Sequence, residues 1–191
     1  MGLYVLLISI ISFVWFSFEV GLMVRDAVRG KGKTTNDKGT RYFNFIALAI
    51  GFTAAGYLNG IPAFFFPGGR TPFVFFIGMA IMLSGIALRF LAIAALGSSF
   101  RTTVETDNQQ KVISSGPYRL IRHPSYSGLL LICGGYGVAL QNWLSLLAAV
   151  LIPLAALLYR ISIEEKALAA SLGPDYVDYQ KRTKKLIPWV W

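Results

Sequence analysis

The chain's one histidine, His123, stands among residues able to hold an anion, in the stretch Ser115 to Gly128, SGPYRLIRHPSYSG. Gly116-Pro117 sets a turn, since glycine tolerates positive φ and proline fixes its own. Tyr118, Arg119, Arg122, Ser125 and Tyr126 then crowd around the imidazole. Pro124 suits the first turn of a helix, so His123 falls at or just before a helix N-terminus, beside backbone donors that favour negative charge. A second polar set follows downstream: Arg160, Glu164 and Glu165. Arg160 and Glu164 are four apart and share a helix face. Taken singly, the histidine reads as a cap and the arginines as side chains that snorkel to phosphates. Charged groups next to a bilayer are expensive, and the whole set together reads as a binding site for charged ligands.

The elements that must position these groups are apolar. Hydrophobic residues make up 55% of the 191 residues and charged residues 14%, with mean hydropathy +0.58, well beyond a soluble domain. The fold class expected is therefore all-α integral membrane, in a single domain over 1–191. No Pro/Ser-rich linker, low-complexity tract or fixed-period repeat divides it. Cys133 lies in an apolar run, which leaves no intrachain disulfide and no cysteine metal site; it reads as packing, and no metal is expected. Apolar runs predict five spans, at about 3–24, 43–59, 73–96, 125–140 and 143–160. A cleavable signal peptide is the competing reading of the first run, but no basic region precedes it and no small-x-small site follows. Only Gln141-Asn142 separates the last two runs, which implies a tight antiparallel hairpin. Both polar sets then return to one membrane face as neighbours.

Lysine and arginine orient the bundle. They are dense in 25–41, where six of the 18 occur, and again in 101–122 and 160–185, whereas 60–72 holds only Arg70. The positive-inside rule makes the dense segments cytoplasmic, with the N-terminus outside and the C-terminus and site inside. The net charge of +9 is thereby accounted for by topology and anionic lipid, and no basic-aromatic platform points to nucleic acid. Glu19 and Arg89 interrupt the first and third runs at similar depth, so they are expected to face one another. The tail after Gly173-Pro174 carries Tyr176 and Tyr179 and ends KKLIPWVW, a pattern for a helical lid with interfacial anchors.

Together, VISSGPYRLIRHPSYSG, the NW pair and RISIEEKALAASLGPDYVDYQKRTKKLIP resemble the isoprenylcysteine carboxyl methyltransferase family, with relatives among phospholipid and thiol methyltransferases. LRFLAIAALGSSFRTTV, from Leu88 to Val104, is similar to it as well, so that the likeness covers about 85–188. The resemblance implies S-adenosyl-L-methionine as methyl donor, leaving S-adenosyl-L-homocysteine, in a cytoplasmic pocket formed by about 100–128 plus 159–188. The chain lacks a strand-GxGxxG-helix unit, consistent with a pocket of another kind. Carried over by motif, the cofactor contacts would be Glu105, Gln110, Lys111, Val112, Ile113, Tyr118, His123, Pro124, Ser125, Tyr126 and Glu164. Arg160 would be the catalytic and substrate-binding residue. Glu105 departs from the glutamine of eukaryotic members, and Lys185 from a frequent arginine. The acceptor implied is a lipophilic small molecule or lipidated substrate in the bilayer, most simply a carboxylate. Phospholipid or thiol methylation is the nearby alternative. An NADPH-dependent sterol-type reductase, which shares a similar RHPxY hairpin, is the alternative of another class, and a membrane scaffold would leave the polar set unexplained.

Overall fold

The computed structural model describes residues 2–29, 39–97 and 112–188. Six α-helices follow in order: α1 (Gly2–Arg29), α2 (Thr40–Leu58), α3 (Pro72–Leu96), α4 (Pro124–Leu140), α5 (Trp143–Leu172) and α6 (Pro174–Arg182). Short 3-10 turns at Pro62–Phe64 and Gly116–Arg119 precede α3 and α4. Among the described residues three stretches are long and apolar enough to cross a membrane: Gly2–Val28, Pro72–Leu96 and Trp143–Leu172. At 17 residues α4 is shorter, and α2 carries Arg41 and Asn44 in its opening turns.

Local chemistry sets the helix ends. Thr71 caps α3 by accepting from the Val74 N–H at 3.3 Å, with Pro72 in the first turn. His123 is the N-cap residue of α4 and Pro124 opens it, as the motif predicts. The two-residue joint between α4 and α5 is tight because Gln141 adopts the left-handed region, at φ 56. Asn142 then caps α5 by accepting from Ser145 N at 3.1 Å. Gln141 Oε1 accepts from Thr71 N at 2.6 Å, and Asn142 Nδ2 donates to the Ile61 carbonyl at 3.0 Å, so this joint also ties down the connection ahead of α3.

The main core draws Trp15, Leu48, Phe52, Met82, Leu129, Ile132, Cys133 and Leu157 from all five long helices, and Cys133 is packing as expected. The α3–α4 contact is the most extensive, because glycines let the two backbones touch. A Cβ on Gly85 would sit 2.7 Å from the Gly128 carbonyl oxygen, and one on Gly135 would collide with the Met82 backbone. Gly135→Ala is therefore expected to destabilise the bundle by about 1–3 kcal/mol. Gly21→Ala, which meets open space, is the control. Unfolding temperatures of both variants in detergent check this: the first should fall, the second should hold.

Candidate active site

At the end of the bundle where α4 begins and α5 continues past its apolar stretch, the two polar sets meet. The Tyr126 hydroxyl is their meeting point: it donates to Glu164 Oε2 at 2.7 Å and accepts from Arg160 Nε at 2.7 Å. Arg160 and Glu164, one turn apart on α5, are thus joined through a phenol from α4. Arg160 is buried, and its Nη1 donates to Thr40 Oγ1 at 3.0 Å, so the first residue of α2 also enters the site. Glu164 keeps about a quarter of its side chain exposed, and its second carboxylate oxygen has no hydrogen-bond partner among the described residues.

The adjacent carboxylate faces another way, since consecutive helical residues point about 100° apart. Glu165 Oε1 accepts from Arg122 Nε at 2.8 Å and lies 3.3 Å from His123 Nε2, while Lys185 Nζ approaches Oε2 at 3.8 Å. His123 Nδ1 is 3.9 Å from Glu164 Oε2, and the imidazole stacks on the Tyr126 ring with centroids 5.5 Å apart. The sequence reading placed Glu165 in the cluster but gave it no role. The signal was there in the doubled glutamate, whose two members must serve different partners.

Behind this layer the tail is strapped to the motif. Lys184 pairs in parallel with Ile121: its N–H donates to the Leu120 carbonyl at 3.3 Å, and its carbonyl accepts from Arg122 N at 2.7 Å. His123 N donates to the Lys185 carbonyl at 3.0 Å and Ser127 Oγ to the Leu186 carbonyl at 2.6 Å. Arg122 Nη1 donates to the carbonyls of Gln180 and Thr183, and the Tyr179 hydroxyl to the Tyr118 carbonyl at 2.7 Å. Burial, with the Glu164 carboxylate second, pushes the Tyr118 phenol far up. Burial pushes Tyr179 up to about 12. Both therefore stay protonated at neutral pH, and neither is a base; the Tyr179 hydroxyl serves as a donor.

Of the residues named from sequence, Tyr118, His123, Pro124, Ser125, Tyr126, Arg160 and Glu164 gather at this end of the bundle. Ser125 takes a second direction: its Oγ accepts from Arg89 Nη1 at 2.6 Å. Arg89 also grips Glu19 through two hydrogen bonds of 2.5 and 2.6 Å, so the expected pair forms and lies under the motif. Val112 and Ile113 lie half-buried on the chain leading to the Gly116 turn. Glu105, Gln110 and Lys111 lie outside the described residues. Thr40 was missed because its hydroxyl reaches Arg160 only once α2 packs on α5. Among the described residues no group of histidine, cysteine and carboxylate side chains could hold a metal ion.

Residues 77–170 match the family model of the isoprenylcysteine carboxyl methyltransferase family. Protein-S-isoprenylcysteine O-methyltransferase B of Arabidopsis thaliana is 32% identical over 147 residues, covering 75% of this chain and 74% of the relative. A "Probable protein-S-isoprenylcysteine O-methyltransferase" of Oryza sativa subsp. indica is 34% identical over 120 residues, 62% of this chain and 63% of that one. A solved structure, of the eukaryotic intramembrane Ras methyltransferase isoprenylcysteine carboxyl methyltransferase, superposes with a TM-score of 0.58 at 27% identity. That likeness covers 79% of this chain but 51% of the solved one, so this chain spans about half the length of that relative. Apolar helices, paired motifs and these similarities agree, and the chain is an integral membrane protein that belongs to the isoprenylcysteine carboxyl methyltransferase family.

Proposed function

We propose that this protein is a membrane methyltransferase that moves a methyl group from S-adenosylmethionine to a lipophilic acceptor, a carboxylate of the isoprenylcysteine type. The observation that carries the reading is the Arg160–Tyr126–Glu164 chain, which sets a buried cation one phenol away from a half-open carboxylate. The donor set fits the cofactor. The unanswered oxygen of Glu164 suits ribose hydroxyls or an ammonium, and the start of α4, with His123 at its cap, suits a carboxylate. When bound, the cofactor supplies an electrophilic methyl on a positively charged sulfur.

The chain's own residues supply position and charge. Transfer of this kind is an in-line displacement, so alignment contributes more than acid–base chemistry. Arg160 is always charged and fork-shaped; with Tyr126 and Thr40 fixing its orientation, it would hold the acceptor's carboxylate. Arg122, Glu165 and the strap would hold the motif and exclude water. Five spans serve this arrangement, the last two as a hairpin, with the site cytoplasmic and the acceptor arriving sideways from the bilayer. The density of lysine and arginine on that side supports this orientation.

Incubating membranes with methyl-labelled S-adenosylmethionine tests the reading. Label is expected in a lipophilic fraction and should be released as methanol by mild base, the behaviour of a carboxyl methyl ester. Label that survives base, as on a thioether or an amine, would move the acceptor to the thiol or phospholipid class.

The strap is expected to act as a lid. A chain ending at Gly173 loses Tyr176, Tyr179 and the 184–186 backbone pairing but none of the five long helices. It should remain a helical bundle by circular dichroism and bind S-adenosylhomocysteine at least about tenfold more weakly. Unchanged affinity would reduce the tail to an anchor.

A further inference from the structure

The two neighbouring glutamates of α5 differ in what they meet. Glu164 keeps 26% of its side chain exposed, Glu165 only 14%. Both oxygens of Glu165 face cationic or donor groups of the chain itself: Oε1 accepts from Arg122 Nε at 2.8 Å and lies 3.3 Å from His123 Nε2, and Lys185 Nζ stands 3.8 Å from Oε2. Glu165 is thus engaged by the protein and not turned towards a ligand. A carboxylate between an arginine and a lysine is ionised and can only accept, so the proton of the His123 contact sits on Nε2. The imidazole is 4% exposed and has little water to turn to for another partner. Its plane lies 13° from that of the Tyr126 ring, and its Nδ1 stands 3.9 Å from Glu164 Oε2. The Tyr126 hydroxyl donates to that same oxygen at 2.7 Å.

We propose that Glu165 is a positioning residue for the cofactor site and acts through His123. By holding Nε2 it fixes the plane of the imidazole, the imidazole backs the face of Tyr126, and Tyr126 holds Glu164 Oε2, which leaves the other oxygen of Glu164 for the cofactor. The torsion that turns an imidazole is broad and roughly two-fold, so contacts must set its orientation. Capping does not set it, since the His123 side chain makes no hydrogen bond to the start of α4. Reach matters more than charge in this role. Arg122 also donates to the carbonyls of Gln180 and Thr183, and so keeps partners when Glu165 is made neutral. The inference rests on the methyltransferase reading and deepens it: the second glutamate orients the first.

The test uses the full chain in detergent, isotope-labelled at histidine, with two variants that separate reach from charge. His123 is the one histidine, so every ring-nitrogen signal in the magnetic resonance spectrum belongs to it. The natural sequence should carry a proton on Nε2, protected from solvent exchange. Glu165→Gln keeps an oxygen at the same reach without the charge. It should retain that signal and bind S-adenosylhomocysteine within about threefold of the natural sequence by calorimetry. Glu165→Asp keeps the charge but draws it back by about 1.5 Å, one carbon–carbon bond. It should lose the protection and bind about tenfold more weakly. A ring protonated on Nδ1 alone in the natural sequence would overturn the proposal without any variant. So would the opposite order of affinities, the result for a charge that only balances Arg122 and Lys185, or equal affinities in all three proteins. Should Glu165→Asp not fold, Glu165→Ala must show the same two losses. A natural sequence that binds no S-adenosylhomocysteine would overturn the methyltransferase reading itself, and ring signals unchanged in every variant only this inference.

Discussion

Arg160→Ala is expected to slow single-turnover methyl transfer by at least about 100-fold while leaving S-adenosylhomocysteine affinity within a few-fold. The reasoning lies in how the guanidinium is held. Its Nε donates to Tyr126 and its Nη1 to Thr40, so the fork is fixed by α4 and α2 before any ligand arrives. An acceptor held by such a fork loses its alignment when the fork goes, and alignment is most of what this reaction asks of the protein. Cofactor affinity should survive, because Tyr126 still donates to Glu164. Arg160→Lys keeps the charge but not the fork, and should recover little of the rate. Rapid-quench assays with labelled cofactor measure both effects. Equal losses of rate and of cofactor affinity in Arg160→Ala would make the residue structural.

Breaking the pair under the motif should have the largest effect on stability. Glu19 and Arg89 are each over nine-tenths buried and joined by two short hydrogen bonds, and Arg89 also donates to Ser125. Glu19→Leu leaves a buried guanidinium with only Ser125, at a cost of about 3–5 kcal/mol. Glu19→Leu combined with Arg89→Leu removes both charges and should cost less than the single change, since the penalty comes from the unmatched ion. Denaturant unfolding in detergent of both single variants and the double variant checks this. A double variant as unstable as the sum of its parts would show that the two residues act independently.

Much of this site is legible in the sequence because two constraints are local. A two-residue joint between apolar runs forces the ends of α4 and α5 onto one side, which brings Tyr126 to Arg160 and Glu164. The cost of charge in an apolar run likewise forces Glu19 to find Arg89. Thr40 was not legible, since its part in the site comes from how closely α2 packs on α5. Gly51 permits that approach: a Cβ there would sit 3.1 Å from the Pro153 ring. The strap was legible as a helical tail with two tyrosines but not as a strand-like pairing of Lys184 with Ile121. Backbone hydrogen bonds between segments some 60 residues apart leave no mark on side-chain pattern. The first helix runs to Arg29, past the apolar stretch ending at Val24, because helix propensity does not stop where hydrophobicity does.

Calorimetric titration of S-adenosylhomocysteine into the purified protein and into Glu164→Gln tests the central claim, a cofactor site built around the Tyr126–Glu164 contact. The natural sequence should bind at one site per chain. Glu164→Gln, which exchanges the carboxylate for a neutral acceptor, should bind about 10–100-fold more weakly, the loss of a hydrogen bond to a charged group. Heat from NADPH with none from S-adenosylhomocysteine, or equal affinity in the two proteins, would contradict the account.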